Sequence, residues 1–250
     1  MHGFRMLCES CQFHRAGICA VLDEDARARL YQMARWRSVA PRQVLFRDGD
    51  TVDYYFNIIS GIVKLVKCFA NGQQHIVGLV HSPGFLGQTL NARHSYSAES
   101  ASAVELCSFP KAAFDAFIRS NYQLERKIYE LTVRELDFCR DWTLLLGRKC
   151  SYQRVAGFLL MMARRVPENG RDGGRRVQFE LPFTRAEMAD YLGLSLETVS
   201  RQFSQLKKER LIALPSSREV VIPDIGLLGA AAQIESCSNA FDEGQGRAIA

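Results

Sequence analysis

TRAEMADYLGLSLETVSRQFSQLKKERLI, residues 184–212, has the pattern of a helix-turn-helix. Thr184 and Glu187 form the Thr-x-x-Glu capping box that marks the start of a helix. Ser195 provides a second helix start, because a serine side chain there can accept a hydrogen bond from an otherwise unpaired backbone N–H. The sequence therefore predicts two short helices joined by a tight turn, the second over about residues 196–209.

Three residue types at characteristic offsets support this prediction. Ala189 is small where the two helices cross, Gly193 permits the turn between them, and Val199 packs back into the core. Two ordinary packed helices are the alternative, but they require neither this combination nor a wing. The next segment, LIALPSSREVVI (211–222), has the pattern strand, serine-rich turn, strand, which is typical of such a wing.

The exposed start of the second helix carries polar side chains suited to base recognition. Helices of this type present their amino-terminal residues to the major groove. There, Arg201 can donate to O6 and N7 of guanine, Glu197 can accept from N4 of cytosine, and Ser200 can contact a neighbouring base edge. Because Glu197 and Arg201 are four residues apart, the alternative is a helix ion pair of about 0.3–0.5 kcal/mol. The two roles are compatible.

Positive charge is concentrated in the same part of the chain. The whole protein has a net charge of +5, whereas residues 147–218 alone carry 14 Lys/Arg and 7 Asp/Glu. A solvated basic surface is the ordinary explanation, but concentration in one segment favours a polyanionic partner there. We expect that partner to be double-stranded DNA.

Composition excludes several other classes of protein. With 47% hydrophobic and 24% charged residues, the 250-residue chain is typical of a soluble protein with two modest domains. It has no apolar run of the roughly 18 residues that a membrane span requires, and its amino terminus lacks the apolar stretch of a signal peptide. We therefore expect a cytoplasmic protein without membrane contact. No nucleophile elbow, P-loop or HExxH motif occurs, so we expect no enzymatic activity.

Residues 38–110 have the pattern of a small antiparallel β-structure. Short β-rich runs alternate with glycine-containing turns. The pair Asn71-Gly72 between two such runs is a strong hairpin signal, because both turn positions favour positive φ. Strands at this spacing indicate a roll or barrel. Before them, residues 23–36 are predicted to form a helix capped by Asp23.

A long helix is predicted over residues 121–146. Apolar residues recur along it at alternating steps of four and three, interrupted only by Glu135, which is the heptad pattern of a coiled coil: Leu124, Ile128, Leu131, Phe138, Trp142 and Leu145. Leu136 and Leu144 add apolar surface off this seam, so one face can cover the roll while another meets a second copy. A helix of about 40 Å rarely buries both faces in a small domain. We therefore expect a homodimer.

Eight cysteines occur in a chain that we expect to stay in a reducing compartment, so disulfides are not expected. Three of them, Cys8, Cys11 and Cys19, lie within twelve residues, which indicates a metal or iron–sulfur cluster. Zinc is one alternative, with His14 completing a local Cys3His set, although the gaps are short for a zinc knuckle. Both kinds of site remain open at this point.

Together these elements predict an α+β protein. It consists of an antiparallel β-roll (double-stranded β-helix or jelly-roll-like) sensory domain, a long dimerisation helix and a winged helix-turn-helix domain. We expect a cysteine-rich cluster-binding segment at 1–22, the roll at 23–120, the dimerisation helix at 121–147, the DNA-binding domain at 148–228 and a flexible tail at 229–250.

This order of domains resembles the Crp/Fnr superfamily over nearly the whole chain. Within it, several motifs are similar to the Fnr branch of oxygen-responsive anaerobic regulators, of the FnrL/FnrN type. They are the amino-terminal cysteines with the spacing Cys-x2-Cys-x7-Cys, VELCSFP, RDWTLLLGRK, and ETVSR in the second helix of the helix-turn-helix.

The resemblance implies a [4Fe–4S] cluster held by the thiolates of Cys8, Cys11, Cys19 and Cys107. It implies that oxygen degrades the cluster and dissociates the dimer. It also implies that the dimer with an intact cluster binds a palindrome of the type TTGAT-N4-ATCAA, with RNA polymerase as a further partner. A Crp/Fnr regulator with a zinc site or no cofactor, controlled by another signal, is the alternative.

Cyclic-nucleotide binding is not expected, although the superfamily includes such receptors. Their phosphate cassette has a Glu just after a glycine and an Arg-Ser pair further on. In GFLGQTLNARHSYSAES (84–100), Gln88 replaces the Glu, Tyr96-Ser97 replaces the pair, and Arg93 is offset. Without the arginine of the pair, a cyclic phosphate has no charge partner.

Overall fold

The computed structural model divides the chain into two compact units, Met1–Arg140 and Asp141–Ala250. The residues that the structure describes are 17–69, 74–87, 92–148, 150–166, 171–172 and 175–232. Among the helices of this part of the chain, none is long and apolar enough to cross a membrane.

The first unit is built mainly from antiparallel strands. In chain order its elements are a 3-10 helix (Ile18–Val21), α1 (Glu24–Met33), β1 (Arg35–Val39), β2 (Val44–Phe46), β3 (Tyr54–Ser60), β4 (Ile62–Cys68), β5 (Gln74–His81), β6 (Gly84–Leu86), β7 (Ser97–Ser100), β8 (Val104–Pro110), α2 (Lys111–Arg119) and most of α3 (Tyr122–Arg148). Over the described residues, the strands form two four-stranded sheets, β1-β8-β3-β6 and β2-β7-β4-β5, in which every neighbouring pair is antiparallel. The predicted roll is confirmed.

Strand β3 is buried on both faces because it separates two cores. Phe56 and Ile58 lie in an inner core that also contains residues of the other sheet, such as Val63 of β4. Tyr55 and Ile59 point the other way, as successive side chains of a strand do, into an outer core. The sheet that contains β3 is therefore covered on both sides.

Helices and the 3-10 turn cover the outer side of this sheet. The buried members of the outer core are Ile18, Leu22, Ala26, Leu30, Val52, Tyr55, Ile59, Cys107, Phe109, Phe114, Phe117 and Leu124. Phe114 of α2 is its centre, with ring centroids 4.9 Å from Phe109 and 5.5 Å from Tyr55. Each such aromatic pair adds roughly 0.5–1.5 kcal/mol beyond the burial of apolar area.

Two local predictions in this unit are confirmed in part. Asp23 caps α1 as expected, since its Oδ1 accepts from the backbone N–H of Ala26 at 2.7 Å. The helix ends at Met33 rather than residue 36, because the next residues pair with β8 as strand β1. Strands β4 and β5 pair as the predicted hairpin, whereas the turn at Asn71-Gly72 lies outside the described residues.

The long helix is confirmed, but the predicted seam is not its free face. Leu124 is fully buried, and Ile128 and Leu131 pack against the outer core. At the other end, Trp142 and Leu145 are packed inside the second unit, where the Trp142 ring stacks on Tyr191 at 4.0 Å. The apolar residues of the seam are therefore largely packed within the chain itself, in the hydrophobic cores at the two ends of the helix.

The second unit is a small helical domain with a three-stranded sheet. After the end of α3, its described elements are α4 (Ser151–Arg164), β9 (Arg171–Asp172), β10 (Arg176–Glu180), α5 (Arg185–Leu192), α6 (Leu196–Lys208), β11 (Glu219–Ile222) and α7 (Ile225–Ala232). The strand order is β11-β10-β9. Helix α7 packs against α4 and buries Leu228 and Ala232. Residues 229–232 are therefore helix rather than the predicted flexible tail, and later residues lie outside the described part.

Candidate DNA interface and metal centre

The first helix of the helix-turn-helix begins at the predicted capping box. Thr184 Oγ1 accepts a hydrogen bond from the backbone N–H of Glu187 at 3.2 Å, and the Glu187 carboxylate accepts one from the backbone N–H of Thr184 at 2.9 Å. These bonds satisfy donors that have no partner within a helix, and so they place the start of α5 at Arg185.

Gly193 makes the turn between the two helices. Its φ of 61° and ψ of 43° lie in the left-handed region, where most side chains are strained and glycine is not. In this conformation, the N–H groups of Gly193 and Leu194 donate to the carbonyl oxygens of Asp190 and Ala189 at 3.2 and 2.9 Å. The turn closes the end of α5 and sets the direction in which α6 begins.

The buried side of α6 holds the helix against α5. Val199 is expected to pack with Leu192, Leu194 and Phe203. Leu192, Val199 and Phe203 are buried and Leu194 is half-buried, and the two helices pack together. Ser195 caps α6 as predicted, accepting from the backbone N–H of Thr198 at 3.1 Å. The Arg185 guanidinium lies 3.3 Å from the centroid of the Phe203 ring, and burial lowers the pKa of Arg185 to about 10. Arg185 therefore remains charged at neutral pH.

The opposite side of α6 presents the three predicted base-reading residues to solvent. Glu197, Ser200 and Arg201 are all exposed on the first two turns. Within the described residues, the alternative ion pair between Glu197 and Arg201 is not formed, and neither side chain has another hydrogen-bond or ionic partner. Both charged groups are therefore available to an external partner.

Three side-chain hydrogen bonds that the sequence did not predict fix the second half of α6, and two of them join it to the start of α4. Gln202 Nε2 donates to Ser151 Oγ at 3.1 Å, and the Tyr152 hydroxyl donates to the Glu209 carboxylate, which also accepts from Gln205 at 3.1 Å. The bond from Tyr152 is the main cause that lowers the pKa of Glu209. No local sequence signal identifies these pairs, because two of the three join residues more than fifty positions apart.

The wing follows α6 in a shorter form than predicted. Ala213 and Val221 exchange two backbone hydrogen bonds of 2.7 and 2.9 Å, so the first wing strand is reduced to one bridge. Ser216 Oγ accepts from the backbone N–H of Glu219 at 3.0 Å and closes the turn. Several cations are exposed on the end of α6 and on this wing: Lys207, Lys208, Arg210 and Arg218. They suit contacts to phosphate rather than to base edges.

Two of the four predicted cluster ligands lie in the described part of the chain, and both are associated with the outer core. Cys107 of β8 is a buried member of that core, and Cys19, in the 3-10 helix, packs against it. Cys8, Cys11 and His14 lie outside the described residues. Within the described residues there is no group of three or more His, Cys, Asp or Glu that could hold a metal. The four-cysteine ligand set therefore stays a prediction.

The surroundings of Cys107 fit a group held by thiolates. Trp36 and Asn57 are its partners on the two neighbouring strands, so their side chains share its face of the sheet. Nearby, the Tyr55 hydroxyl and the Lys111 ammonium donate hydrogen bonds to the Asp115 carboxylate at 2.9 and 2.6 Å. Asn57 is buried, and its Oδ1 has no hydrogen-bond partner. This face of the sheet thus carries the Cys107 thiol and an amide oxygen without a partner, next to the hydrogen-bonded group of Tyr55, Lys111 and Asp115.

Two family models cover most of the described chain. Residues 36–121 match the cyclic nucleotide-binding domain, and residues 153–231 match the Crp-like helix-turn-helix domain. The chain belongs to the Crp/Fnr family. Members of this family are transcription regulators that bind DNA, and the helix-turn-helix described above is the DNA-binding element of this one.

Similar Crp/Fnr proteins extend over nearly the whole chain. It is 34% identical to the transcriptional activator protein FnrL of Cereibacter sphaeroides, over 88% of this chain and 90% of the relative. It is 35% identical to the nitrogen fixation regulation protein FixK of Bradyrhizobium diazoefficiens, over 83% and 86%. Among solved structures, FixK2 of Bradyrhizobium japonicum is similar with a TM-score of 0.70 and 28% identity, over 79% of this chain and 96% of that one.

In this Crp/Fnr protein, the residues at the cyclic-nucleotide cassette have structural partners. The Arg93 guanidinium donates to the carbonyl oxygen of Gly49 at 2.7 Å, and Ser97 Oγ accepts from the backbone N–H of Asp48 at 3.0 Å. Gln88 lies outside the described residues. These contacts support the prediction that the cassette does not hold a cyclic phosphate, which stays a prediction.

Helix α3 carries a second apolar surface that the described part of the chain does not cover. Tyr122, Tyr129, Leu136 and Leu144 are between 49% and 71% exposed. Tyr122, Tyr129 and Leu136 are spaced by seven residues, so they lie along one side of the helix. We call these four residues the free face of α3.

Proposed function

We propose that this Crp/Fnr protein is an oxygen-responsive transcription regulator that binds palindromic DNA as a dimer while a [4Fe–4S] cluster is intact. The main support is that Cys107 belongs to the outer core and that Cys19, far from it in sequence, packs against the same core. Iron–sulfur clusters take thiolate ligands. Cys8 and Cys11 would supply the other two ligands from the adjoining segment.

The proposed ligands have different roles in the fold. Cys107 is held by a strand that pairs on both sides, so its position is set by the sheet. Cys19 lies at the edge of the outer core, and Cys8 and Cys11 precede it by a few residues. When bound, a cluster supplies a site of reaction with oxygen and ties the amino-terminal segment to β8. Its loss releases that segment from the outer core.

The outer core provides a path from this site to helix α3. Leu124 is a member of the same core as Cys107, and Ile128 and Leu131 pack against it. A change in packing around Cys19 and Cys107 therefore acts directly on the surface that supports the first half of α3. Packing around the thiols is coupled to the position of α3, because both belong to one contiguous packed cluster.

Dimerisation is proposed to use the free face of α3. Its four apolar residues need a second surface, since the chain itself leaves them exposed. We infer that the dimer is weak enough to dissociate when the signal changes. A weak dimer suits a switch, because a change of about 5.5 kcal/mol moves an equilibrium from 1:99 to 99:1.

The DNA site is proposed to be a palindrome of the type TTGAT-N4-ATCAA, one half-site per subunit. Arg201 would read the guanine of each half-site, Glu197 the paired cytosine and Ser200 a neighbouring thymine edge. The exposed cations of α6 and the wing would contact phosphates. Contact with RNA polymerase would follow from an activator role like that of FnrL of Cereibacter sphaeroides.

Anaerobic purification tests the cofactor directly. We expect about four irons and four sulfides per chain, a broad visible absorbance, and a dimer that sediments as a monomer after exposure to air. Zinc in place of iron would support the alternative ligand set of Cys8, Cys11, His14 and Cys19. Protein with iron and sulfide whose dimer fraction is unchanged by air would contradict the proposed oxygen switch.

A further inference from the structure

The carboxamide of Asn57 is a buried polar group that the fold itself does not use. Asn57 is 5% exposed and lies on β3 between Tyr55 and Ile59, on the face of the outer core. Its Oδ1 has no hydrogen-bond partner, and in the described chain its side chain forms no other polar contact. Burying an unsatisfied amide costs folding free energy, so such groups are rare in native proteins.

Its neighbours explain where an unused amide would find a partner. Asn57 lies directly opposite Cys107 in the antiparallel pair of β3 and β8. Side chains at opposite positions of such a pair share one face of the sheet. The other polar groups on this part of the face, Tyr55, Lys111 and Asp115, bond to one another. The amide of Asn57 therefore shares this face with Cys107 and bonds to none of these groups.

We propose that Asn57 is a positioning residue of the cluster site, whose amide N–H donates to sulfur beside Cys107 and slows the loss of the cluster in air. This inference rests on the proposed function, because it takes Cys107 as a ligand. Rotation about the bond between Cβ and Cγ allows either end of the carboxamide to face the site. Hydrogen bonds to the sulfurs withdraw electron density and so adjust the reduction potential of a cluster.

A donor role and a purely structural role predict opposite effects of Asn57→Leu. Leucine has a similar size and no polar atom, so the metal-free protein should unfold at the same or a higher urea concentration than the wild type. The loaded protein should lose its visible absorbance about ten-fold faster in air-saturated buffer, comparable with the smallest losses of metal affinity that follow removal of second-sphere partners. A structural role would instead destabilise the metal-free protein and leave the decay rate unchanged.

Two further variants complete the experiment. Asn57→Ser keeps a donor and should retain a decay rate closer to the wild type than Asn57→Leu does, and it replaces the leucine variant if that one does not fold. Ser108→Ala is the matched control, since Ser108 is buried on β8 next to Cys107 but lies on the inner face and bonds to the carbonyl of Arg35 at 3.1 Å. Its decay rate should equal that of the wild type.

The outcomes separate this inference from the proposed function. A wild-type protein that binds no iron and sulfide overturns both. A loaded wild type whose decay is matched by Asn57→Leu and Asn57→Ser overturns the role of Asn57 alone, and the amide is then satisfied by bound water. Faster decay in Asn57→Leu, with Asn57→Ser and Ser108→Ala near the wild type, supports it.

Discussion

Replacing Arg201 with alanine should remove discrimination at one base pair of each half-site and leave the fold intact. Arg201 is exposed and has no hydrogen-bond or ionic partner within the described residues. The free energy of unfolding should therefore change by less than about 0.5 kcal/mol. The same holds for Glu197→Ala, because the ion pair that would couple these two side chains is not formed in the described chain.

The expected loss on DNA is much larger. An arginine that donates to both acceptors of guanine contributes about 1–3 kcal/mol of discrimination. A dimer on a palindrome makes this contact twice, so the loss for a symmetric operator is about 2–6 kcal/mol. Since 1.4 kcal/mol corresponds to a factor of ten, preference for the G·C pair should fall by a factor of at least roughly thirty.

Fluorescence anisotropy with a series of operators measures this effect. Each operator carries one base-pair change, made symmetrically in both half-sites, and binding is measured for the wild type, Arg201→Ala, Glu197→Ala and the control Lys207→Ala. The control should weaken all operators alike and reduce the salt dependence, as loss of a phosphate contact does. If Arg201→Ala and Glu197→Ala keep the wild-type ranking at the G·C pair, these side chains do not read it.

Three further outcomes are expected. Replacing a proposed ligand, Cys8, Cys11, Cys19 or Cys107, with serine should abolish the visible absorbance and DNA binding, whereas Cys68→Ser should not. Iron and sulfide counts on each variant check this. Leu136→Glu should prevent dimerisation without loss of the cluster, because it places a charge on the free face of α3; sedimentation under nitrogen measures this, and a stable dimer would mean that another surface is used. Gly193→Ala should destabilise the second unit by about 1 kcal/mol. An added Cβ meets nothing closer than 4.0 Å, so the cost comes only from the left-handed backbone conformation. Urea unfolding measures this change, and an unchanged midpoint would contradict the predicted strain.

The helix-turn-helix was predictable because its determinants are local. The capping box at Thr184, the turn at Gly193 and the cap at Ser195 each act within four residues, and all three occur in the structure as expected. The hairpin of β4 and β5 was predictable for the same reason, from alternating strands around one turn. In these places sequence spacing is nearly equivalent to spatial position.

The use of helix faces and core positions was not predictable in the same way. The heptad pattern identified α3, but it does not distinguish a partner helix from a sheet, and Leu124 packs against a sheet. The bond from Tyr152 to Glu209 joins residues far apart in sequence, so no periodic pattern indicates it. Asn57 gave no signal either, because a polar residue inside a strand looks like a solvent-facing position until the opposite face is known to be covered.

Strand β3 has a consequence for how a signal can spread. Its even-numbered side chains hold the two sheets together, and its odd-numbered side chains support the helices and the thiols. If the helices on the outer side of the sheet move away, one of the two faces of β3 is therefore exposed to solvent. Amide hydrogen exchange in β3 should quicken when the amino-terminal segment is released, while exchange in β4 and β5 of the other sheet stays slow. The strand is thus a natural reporter of the state of the sensory domain.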